Sequence, residues 1–183
     1  MEKKVLVPLA EGFETIEALA VVDVFRRGGV HVDTAAIGDK LQVTSSQDVP
    51  VIADRLLADC VEDNYDLIVL PGGIPGAHNL QKSELLVALL EKQNKADKLY
   101  AAICASPAVV LEHHGLLAGK KATCHPFFVD HLASQDDVEK TVVFDKNCVT
   151  SKGAGTSVEF GLELLEILMG KEKKKEVAKG MAL

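Results

Sequence analysis

The sequence predicts an α/β fold in which a mostly parallel sheet carries helices on both of its faces. Two observations lead to this class: short apolar runs alternate with longer amphipathic runs along the chain, and the stretch from Ile16 to Phe25 is apolar on nearly every side. Alternating strands and helices are typical of parallel sheets, and a helix that is apolar nearly all round must be covered on more than one side. The length of 183 residues is suited to a single domain spanning residues 1–183.

The first half of the chain starts as a β-α-β unit, in which Gly28 and Gly29 end the helix. Two short strand-like runs separated by Ser45–Asp48 then indicate a hairpin. The predicted elements are strands at 5–9, 30–37 and 65–70, a helix over about 14–27, a hairpin of 41–44 with 49–52, and a short helix or turn at 56–61.

The second half continues the alternation and ends in a charged helix. Ser83 has the character of a helix N-cap, because its hydroxyl can accept the backbone N–H groups that the first helical turn leaves unpaired. The predicted elements are a helix from 83 to about 94, a strand at 99–103 and a helix after it that ends at Gly115, a strand at 121–124, a short helix from 125 toward 132, a hairpin of 142–144 with 148–151, and helices after 157 and over 171–178.

Charge and hydropathy exclude several classes of partner. The formal net charge is −7, so nothing in the composition recruits nucleic acid or an anionic membrane. No apolar run approaches the ~20 residues that a membrane-spanning helix needs. Pro8, Glu11 and Glu14 interrupt the apolar stretch that a signal peptide would require near the N-terminus. We therefore expect a cytoplasmic protein.

The cysteines and histidines do not have the spacing of a metal site. The four cysteines are far apart, without a C-x-x-C pair, and no two histidines are spaced as a helical H-x-x-x-H pair. A zinc site and a secreted disulfide framework are both disfavoured, and no metal is expected. Three of the cysteines are taken to be structural, and these are Cys60, Cys124 and Cys148.

Cys104 lies in the turn between a predicted buried strand and a predicted helix. Ser106 and Pro107 follow it and have the character of an N-cap and a first helical position. A helix N-terminus stabilises thiolate over thiol, so the sequence predicts a lowered pKa and a nucleophilic sulfur. The alternative is a buried core cysteine, although these usually lie in the middle of an element.

Two other segments that interrupt the apolar pattern follow predicted parallel strands. They therefore lie at the edge of the sheet where such folds have their functional sites. One contains Glu17, whose apolar neighbours predict burial, a raised pKa and a protonated carboxyl; Glu14 is the competing acid. The other contains Gly72 and Gly73, whose backbone N–H groups can face an oxyanion, or which form only a tight turn.

Two further segments could contribute to the same edge. His125 begins a predicted helix after a strand and is the histidine best placed to act there, although a lone histidine is more often structural. The glycine-rich segment 153–157 could bind an anion at the start of a helix, although a simple capped loop fits it better. The glycine spacing matches neither a P-loop nor a dinucleotide-binding fingerprint.

Taken together, these segments resemble the ThiJ/PfpI superfamily, in the branch that includes the Parkinsonism-associated deglycase and YajL, over almost the whole chain. The resemblance is carried by residues 10–17 (AEGFETIE), 23–29 (DVFRRGG), 69–73 (VLPGG) with 76–77 (GA), 101–105 (AAICA), 125–126 (HP) and 150–157 (TSKGAGTS).

The resemblance implies a flavodoxin-like three-layer sandwich, similar to class I glutamine amidotransferases, and a homodimer. It implies that Cys104 is the reactive, oxidisable cysteine, Glu17 the protonated acid that holds its sulfur, and His125 the nearby histidine. Gly72, Gly73 and Ala105 are implied to be the backbone donors. The chain departs from the peptidase branch at Ala105, where that branch has a histidine, and it has Gln47 where human-type members have an arginine at the dimer contact.

The function implied by this resemblance is that of a cofactor-independent, cysteine-dependent deglycase or glyoxalase. Its substrates would be methylglyoxal, glyoxal and their early adducts on thiols and amines, and it would protect against oxidative stress. The alternative is a non-enzymatic redox sensor or chaperone that works through oxidation of Cys104. A cysteine peptidase or amidase is the third possibility, and Ala105 disfavours it.

Overall fold

The computed structural model describes residues 2–183, and within them one central sheet of seven strands organises the chain. The strands are β1 (Lys4–Leu9), β2 (His31–Ala36), β3 (Gln42–Thr44), β4 (Pro50–Ile52), β5 (Arg55–Leu56), β6 (Leu67–Leu70), β7 (Leu99–Ile103), β8 (Val142–Asp145) and β9 (Cys148–Ser151). The order across the sheet is β5-β2-β1-β6-β7-β9-β8. Only β8 runs antiparallel to its neighbour, while β3 and β4 form a separate hairpin.

Helices cover both faces of this sheet. They are α1 (Thr15–Arg27), α2 (Gly76–Gln81), α3 (Glu84–Lys95), α4 (Ser157–Met169) and α5 (Lys171–Gly180), with short 3-10 turns at Leu57–Cys60, Pro126–His131 and Ala154–Thr156 and a π-helical segment at Pro107–Glu112. Side chains of α1 and α4 form one apolar core with one face of the sheet, and those of α2 and α3 form another core with the opposite face. This arrangement confirms the flavodoxin-like three-layer fold.

Alternation along the strands explains how one sheet supports two cores. In β1, Val5 and Val7 pack into the core that contains Phe25 of α1, whereas Leu6 packs into the core that contains Leu86 of α3. Successive side chains of a strand point to opposite faces, so a strand buried on both sides must be apolar throughout. This is why the central strands are continuous apolar runs.

Most predicted elements are present, but β5 and α2 were not predicted and residues 121–124 are not a strand. The backbone N–H groups of Lys121 and Thr123 donate to the side chains of Asp145 and Thr150, at 2.8 and 2.9 Å, instead of to a strand ladder. A run can therefore be apolar and extended without joining the sheet.

The prediction that Ser106 caps an α-helix is wrong. Ser106 has helical backbone angles and its side chain caps no helix. Its buried hydroxyl instead donates to the carbonyl of Pro71 at 2.6 Å, which ties the turn after β7 to the loop after β6. The segment that follows is π-helical, a form often found at functional sites.

Within residues 2–183, no helix combines the length and the apolar character that crossing a membrane requires.

Candidate active site

The predicted site residues meet at the carboxyl ends of neighbouring parallel strands. The segment after β1 leads into α1, the loop after β6 contains the paired glycines, and the turn after β7 contains Cys104. Because β1, β6 and β7 are adjacent and parallel, these three connections open at the same edge of the sheet.

Cys104 is held in a strained turn by two backbone hydrogen bonds. Its φ angle is +64°, in the left-handed region that residues other than glycine seldom occupy. Its N–H donates to the carbonyl of Ser151 at 3.0 Å, and its own carbonyl accepts from the N–H of His125 at 2.8 Å. Strain of this kind costs about 1–3 kcal/mol and is found where the surrounding structure fixes a functional residue. Cys104 is partly buried, whereas the other three cysteines are buried.

Glu17 lies in the first turn of α1 and is only 1% exposed. Glu14 is the N-cap of this helix, and its carboxylate accepts from the N–H of Glu17 at 2.8 Å, so the competing acid has a structural role. Glu17 Oε2 accepts from the N–H of Gly72 at 2.8 Å. Burial raises the pKa of Glu17 to about 7, an effect that hydrogen bonding from Cys104 and Gly72 only partly offsets. The prediction of a buried acid with a raised pKa is therefore confirmed.

The prediction of a lowered Cys104 pKa is wrong. Burial, with the facing carboxylate of Glu17, raises the pKa of the Cys104 thiol to about 12. The backbone amides of Gly73 and Ala105 lower the pKa, but by less. Two acids in contact cannot readily both ionise, so their titrations are coupled and belong to the pair. Near neutral pH the pair of Glu17 and Cys104 therefore passes to a state that holds a single proton.

The glycine loop makes this contact possible. A Cβ atom at Gly72 would lie 2.6 Å from Cβ of Cys104 and 2.7 Å from Oε2 of Glu17, so no side chain fits between the two acids. Gly73 has a φ of +87°, and its amide faces the sulfur. Of the three predicted backbone donors, Gly73 and Ala105 serve Cys104, whereas Gly72 donates to Glu17 instead.

His125 is attached to the same site through its backbone and through its ring. It is the N-cap of the 3-10 turn at Pro126–His131, and its Nδ1 accepts from the N–H of Phe127 at 3.3 Å. Because Nδ1 is an acceptor, the neutral ring carries its proton on Nε2. The N–H group at Nε2 of His125 therefore remains a hydrogen-bond donor.

The side chains of His125, Glu17 and Cys104 converge on one point, which lies next to Gly153. An atom at its Cβ position would lie 3.4 Å from Cδ2 of His125, 3.8 Å from Oε1 of Glu17 and 3.9 Å from Sγ of Cys104. Among the described residues, Oε1 has no hydrogen-bond donor of good geometry. The sequence assigned Gly153 to an ordinary loop; the signal that could have placed it here is its position after β9, the strand next to β7.

Comparison with known proteins identifies a family and a fold for the chain. The model of the DJ-1/PfpI family matches residues 3–167. A solved structure of Toxoplasma gondii DJ-1 in an oxidized form superimposes with a TM-score of 0.96 at 42% identity, covering 98% of each chain.

Two relatives with curated names show how much of a longer protein the chain matches, and one of them is named for an activity. Protein DJ-1 homolog B of Arabidopsis thaliana is 47% identical over 176 residues, which are 96% of this chain but 40% of that protein, so the chain spans less than half of its length. A Caenorhabditis elegans protein named glutathione-independent glyoxalase DJR-1.2 is 34% identical over 175 residues, covering 94% of this chain and 92% of that protein.

Proposed function

The chain belongs to the DJ-1/PfpI family, and from its site we propose that it is a cysteine-dependent enzyme acting on small 2-oxoaldehydes. Methylglyoxal and glyoxal would be converted to hydroxy acids, and their early adducts on thiols and amines would also be substrates. The observation that carries this proposal is the coupled pair of Glu17 and Cys104, which faces the same point as His125. A relative 34% identical is named a glyoxalase, which supports the same reaction class.

The first step uses Glu17 as the base. The sulfur of Cys104 bonds to the aldehyde carbon while its proton passes to Glu17. Glu17 then gives that proton to the former carbonyl oxygen, which becomes the hydroxyl group of a hemithioacetal, and the N–H of His125 Nε2 would donate a hydrogen bond to this oxygen. A base with a pKa of about 7 is suited to this transfer near neutral pH. A thiol with a raised pKa becomes nucleophilic because this acceptor lies beside it.

The next steps move a proton within the substrate. The former aldehyde carbon loses its hydrogen as a proton to a site base, the neighbouring carbonyl carbon gains one, and a thioester of the hydroxy acid results. Water then cleaves the C–S bond and returns the proton to the thiol, so methylglyoxal and one water give one lactate. The aldehyde carbon is oxidised and its neighbour is reduced, so electrons balance within the substrate. The amides of Gly73 and Ala105 face the Cys104 sulfur and would stabilise the negative charge that develops on it as it leaves.

The test is lactate formation from methylglyoxal by the purified chain. Cys104→Ser should lower the rate to background, because a serine hydroxyl is a far weaker nucleophile with the same base. Cys60→Ala removes a buried thiol outside the site and should keep the activity. Activity that survives Cys104→Ser would exclude this mechanism.

Deglycase activity needs a second measurement. The chain is given the preformed hemithioacetal of methylglyoxal and N-acetylcysteine, with the free aldehyde measured in parallel. A deglycase produces lactate faster than the free aldehyde alone accounts for. If the rate follows only the free methylglyoxal, the activity is that of a glyoxalase.

Oxidation sensing is a second candidate function, favoured by the difference in exposure among the cysteines. Cys104 alone is partly exposed, and a protonated Glu17 could donate a hydrogen bond to its sulfinate. The Toxoplasma gondii structure is described as oxidized, which supports this candidate. Mass spectrometry after mild peroxide treatment should find Cys104 oxidised first, before the three buried cysteines.

We also propose that two copies of the chain pair through α1 and the β3–β4 hairpin. Thr15 Oγ1 donates to Ser45 Oγ at 2.7 Å, which joins these two elements. Exposed apolar side chains lie on both, with Ile16 54% and Ile52 66% exposed. Light scattering after size exclusion should give a dimer mass, and Ile52→Glu should shift it toward the monomer. Leu85→Glu, at a position 48% exposed on α3, is the matched control.

A further inference from the structure

Phe127 is an aromatic ring left in water beside the proposed active site. It is 87% exposed, more than any other large apolar side chain in the described part of the chain. Exposed apolar residues scattered singly are ordinary. The position of this one, two residues after His125, points to a role in the reaction.

The Phe127 ring contacts a residue of the site. It packs edge-on against the imidazole of His125, with ring centroids 4.9 Å apart, and its backbone N–H donates to Nδ1 of that imidazole. His125 in turn donates its N–H to the carbonyl of Cys104. The neighbouring Phe128 is half-buried and packs against the core that contains Leu86 of α3. This packing anchors the short 3-10 turn that contains Phe127. The exposed ring is therefore linked to the nucleophile through a single residue.

A second apolar side chain lies on another loop of the same site. Ile74 follows Gly73, whose amide faces the sulfur, and it is 46% exposed. The groups proposed to carry out the chemistry are polar and mostly buried, whereas these two neighbours are apolar and open to water. Such a site gains binding free energy from a substrate with a reactive polar end and an apolar body.

We propose that Phe127 selects 2-oxoaldehydes that carry an aryl or a bulky apolar substituent. The inference rests on the proposed function and narrows its substrate class. Glyoxal has no substituent and methylglyoxal has one methyl group, so neither has apolar surface to place on the ring. An aryl group can stack on Phe127 while its aldehyde reaches Cys104. Aromatic pairs contribute about 0.5–1.5 kcal/mol beyond the burial of their area, which corresponds to about a 2- to 12-fold preference.

The first experiment compares phenylglyoxal with methylglyoxal as substrates. We expect the ratio of the kcat/KM value for phenylglyoxal to that for methylglyoxal to fall about 2- to 12-fold in Phe127→Ala. Phe127→Tyr keeps the ring and should keep the ratio. Phe144→Ala is the matched control, because Phe144 is also an exposed phenylalanine, 53% exposed, but lies on β8. An unchanged ratio in Phe127→Ala, or an equal fall in Phe144→Ala, would overturn the proposal.

A second readout does not depend on turnover. The rate of Cys104 alkylation is measured with N-phenylmaleimide and with N-methylmaleimide, and Phe127→Ala should lower the ratio of the two rates by a similar factor. If the wild-type chain turns over neither aldehyde, the proposed function fails while this ratio still decides the role of Phe127. If the chain is active but the ratio does not change in either assay, the ring has no part in selection.

Discussion

Two cysteines at opposite ends of one strand pair, Cys104 and Cys148, differ in what surrounds their thiols. Cys104 follows the carboxyl end of β7, and Cys148 begins β9 at the opposite end of the same strand pair, opposite Tyr100. The pKa of each thiol is raised to about 12, chiefly by burial. A raised pKa alone therefore does not distinguish them.

The difference lies in what surrounds each sulfur. Cys148 is fully enclosed, with Tyr100 and Lys120 near it, and the Tyr100 hydroxyl already donates to the carbonyl of Leu116 at 2.6 Å. Cys104 is partly exposed and faces a carboxyl group that exchanges its proton near pH 7. We therefore expect reactivity at this sheet to depend on a neighbouring proton acceptor and an opening to solvent, more than on the pKa of the thiol.

The largest effect is expected from replacing Glu17, the group that accepts the Cys104 proton. Without it, the thiol of Cys104 should be as unreactive as that of Cys148. Glu17→Gln keeps the size of the side chain but cannot take the thiol proton, so we expect kcat/KM for methylglyoxal to fall roughly 10²- to 10⁴-fold. Tyr100→Phe, which alters the other end of the strand pair, should keep kcat/KM within about threefold, a margin small beside that general-base range. Initial rates of lactate formation measure both. Near wild-type rates in the Glu17→Gln variant would show that the difference between the two thiols has another source.

The pH dependence of stability sharpens the same comparison. Folded Glu17 binds a proton up to about pH 7, whereas the unfolded chain releases it near 4.5, so the folded state holds more protons in this window. Stability should therefore fall as pH rises from about 5 to about 8, by up to about 3 kcal/mol from this group. Glu17→Gln should remove that fall, and Cys148→Ala should leave it in place. Urea unfolding at several pH values measures it, and equal slopes in wild type and Glu17→Gln would contradict the assignment.

The smallest effect is expected from a side chain added between Glu17 and Cys104. Gly72→Ala places a methyl group within 2.7 Å of Glu17 and Cys104. We expect it to lower the free energy of unfolding by about 1–3 kcal/mol and to reduce activity. Gly155→Ala, where a Cβ would meet nothing within 4 Å, should change stability by less than about 0.5 kcal/mol. Thermal melts of the two variants make the comparison, and equal melting temperatures would show that the contact is looser than described.

The sequence predicts most of the residues that meet here because the topology brings them together. His125 is the exception, since residues 121–124 before it are not a strand and its backbone hydrogen bond to Cys104 brings it to the site. Glu17, Gly73 and Cys104 each lie in or directly after an element whose type could be recognised from its apolar pattern. Once the parallel sheet is inferred, its carboxyl edge gathers them. The same pattern could not reveal β5 or α2, which are short and lie among turn residues.

What the sequence could not predict are effects that depend on distances. The lowered pKa expected for Cys104 followed from a helix N-terminus, but the contact with Glu17 and the burial of both groups outweigh that field. Ser106 could not be assigned correctly either, because its partner Pro71 is distant in sequence. Similarly, the contribution of Gly153 depends on the pairing of β9 with β7.

The left-handed backbone conformation of Cys104 also sets thermal stability against the proposed activity. Glycine occupies that conformation without the Cβ clash, so a chain with Cys104→Gly would be relieved of roughly 1 kcal/mol of strain while losing its sulfur. Random mutation screened only for heat resistance would therefore tend to discard the sulfur atom on which the proposed activity depends. A library selected for thermostability should be checked for turnover at every round.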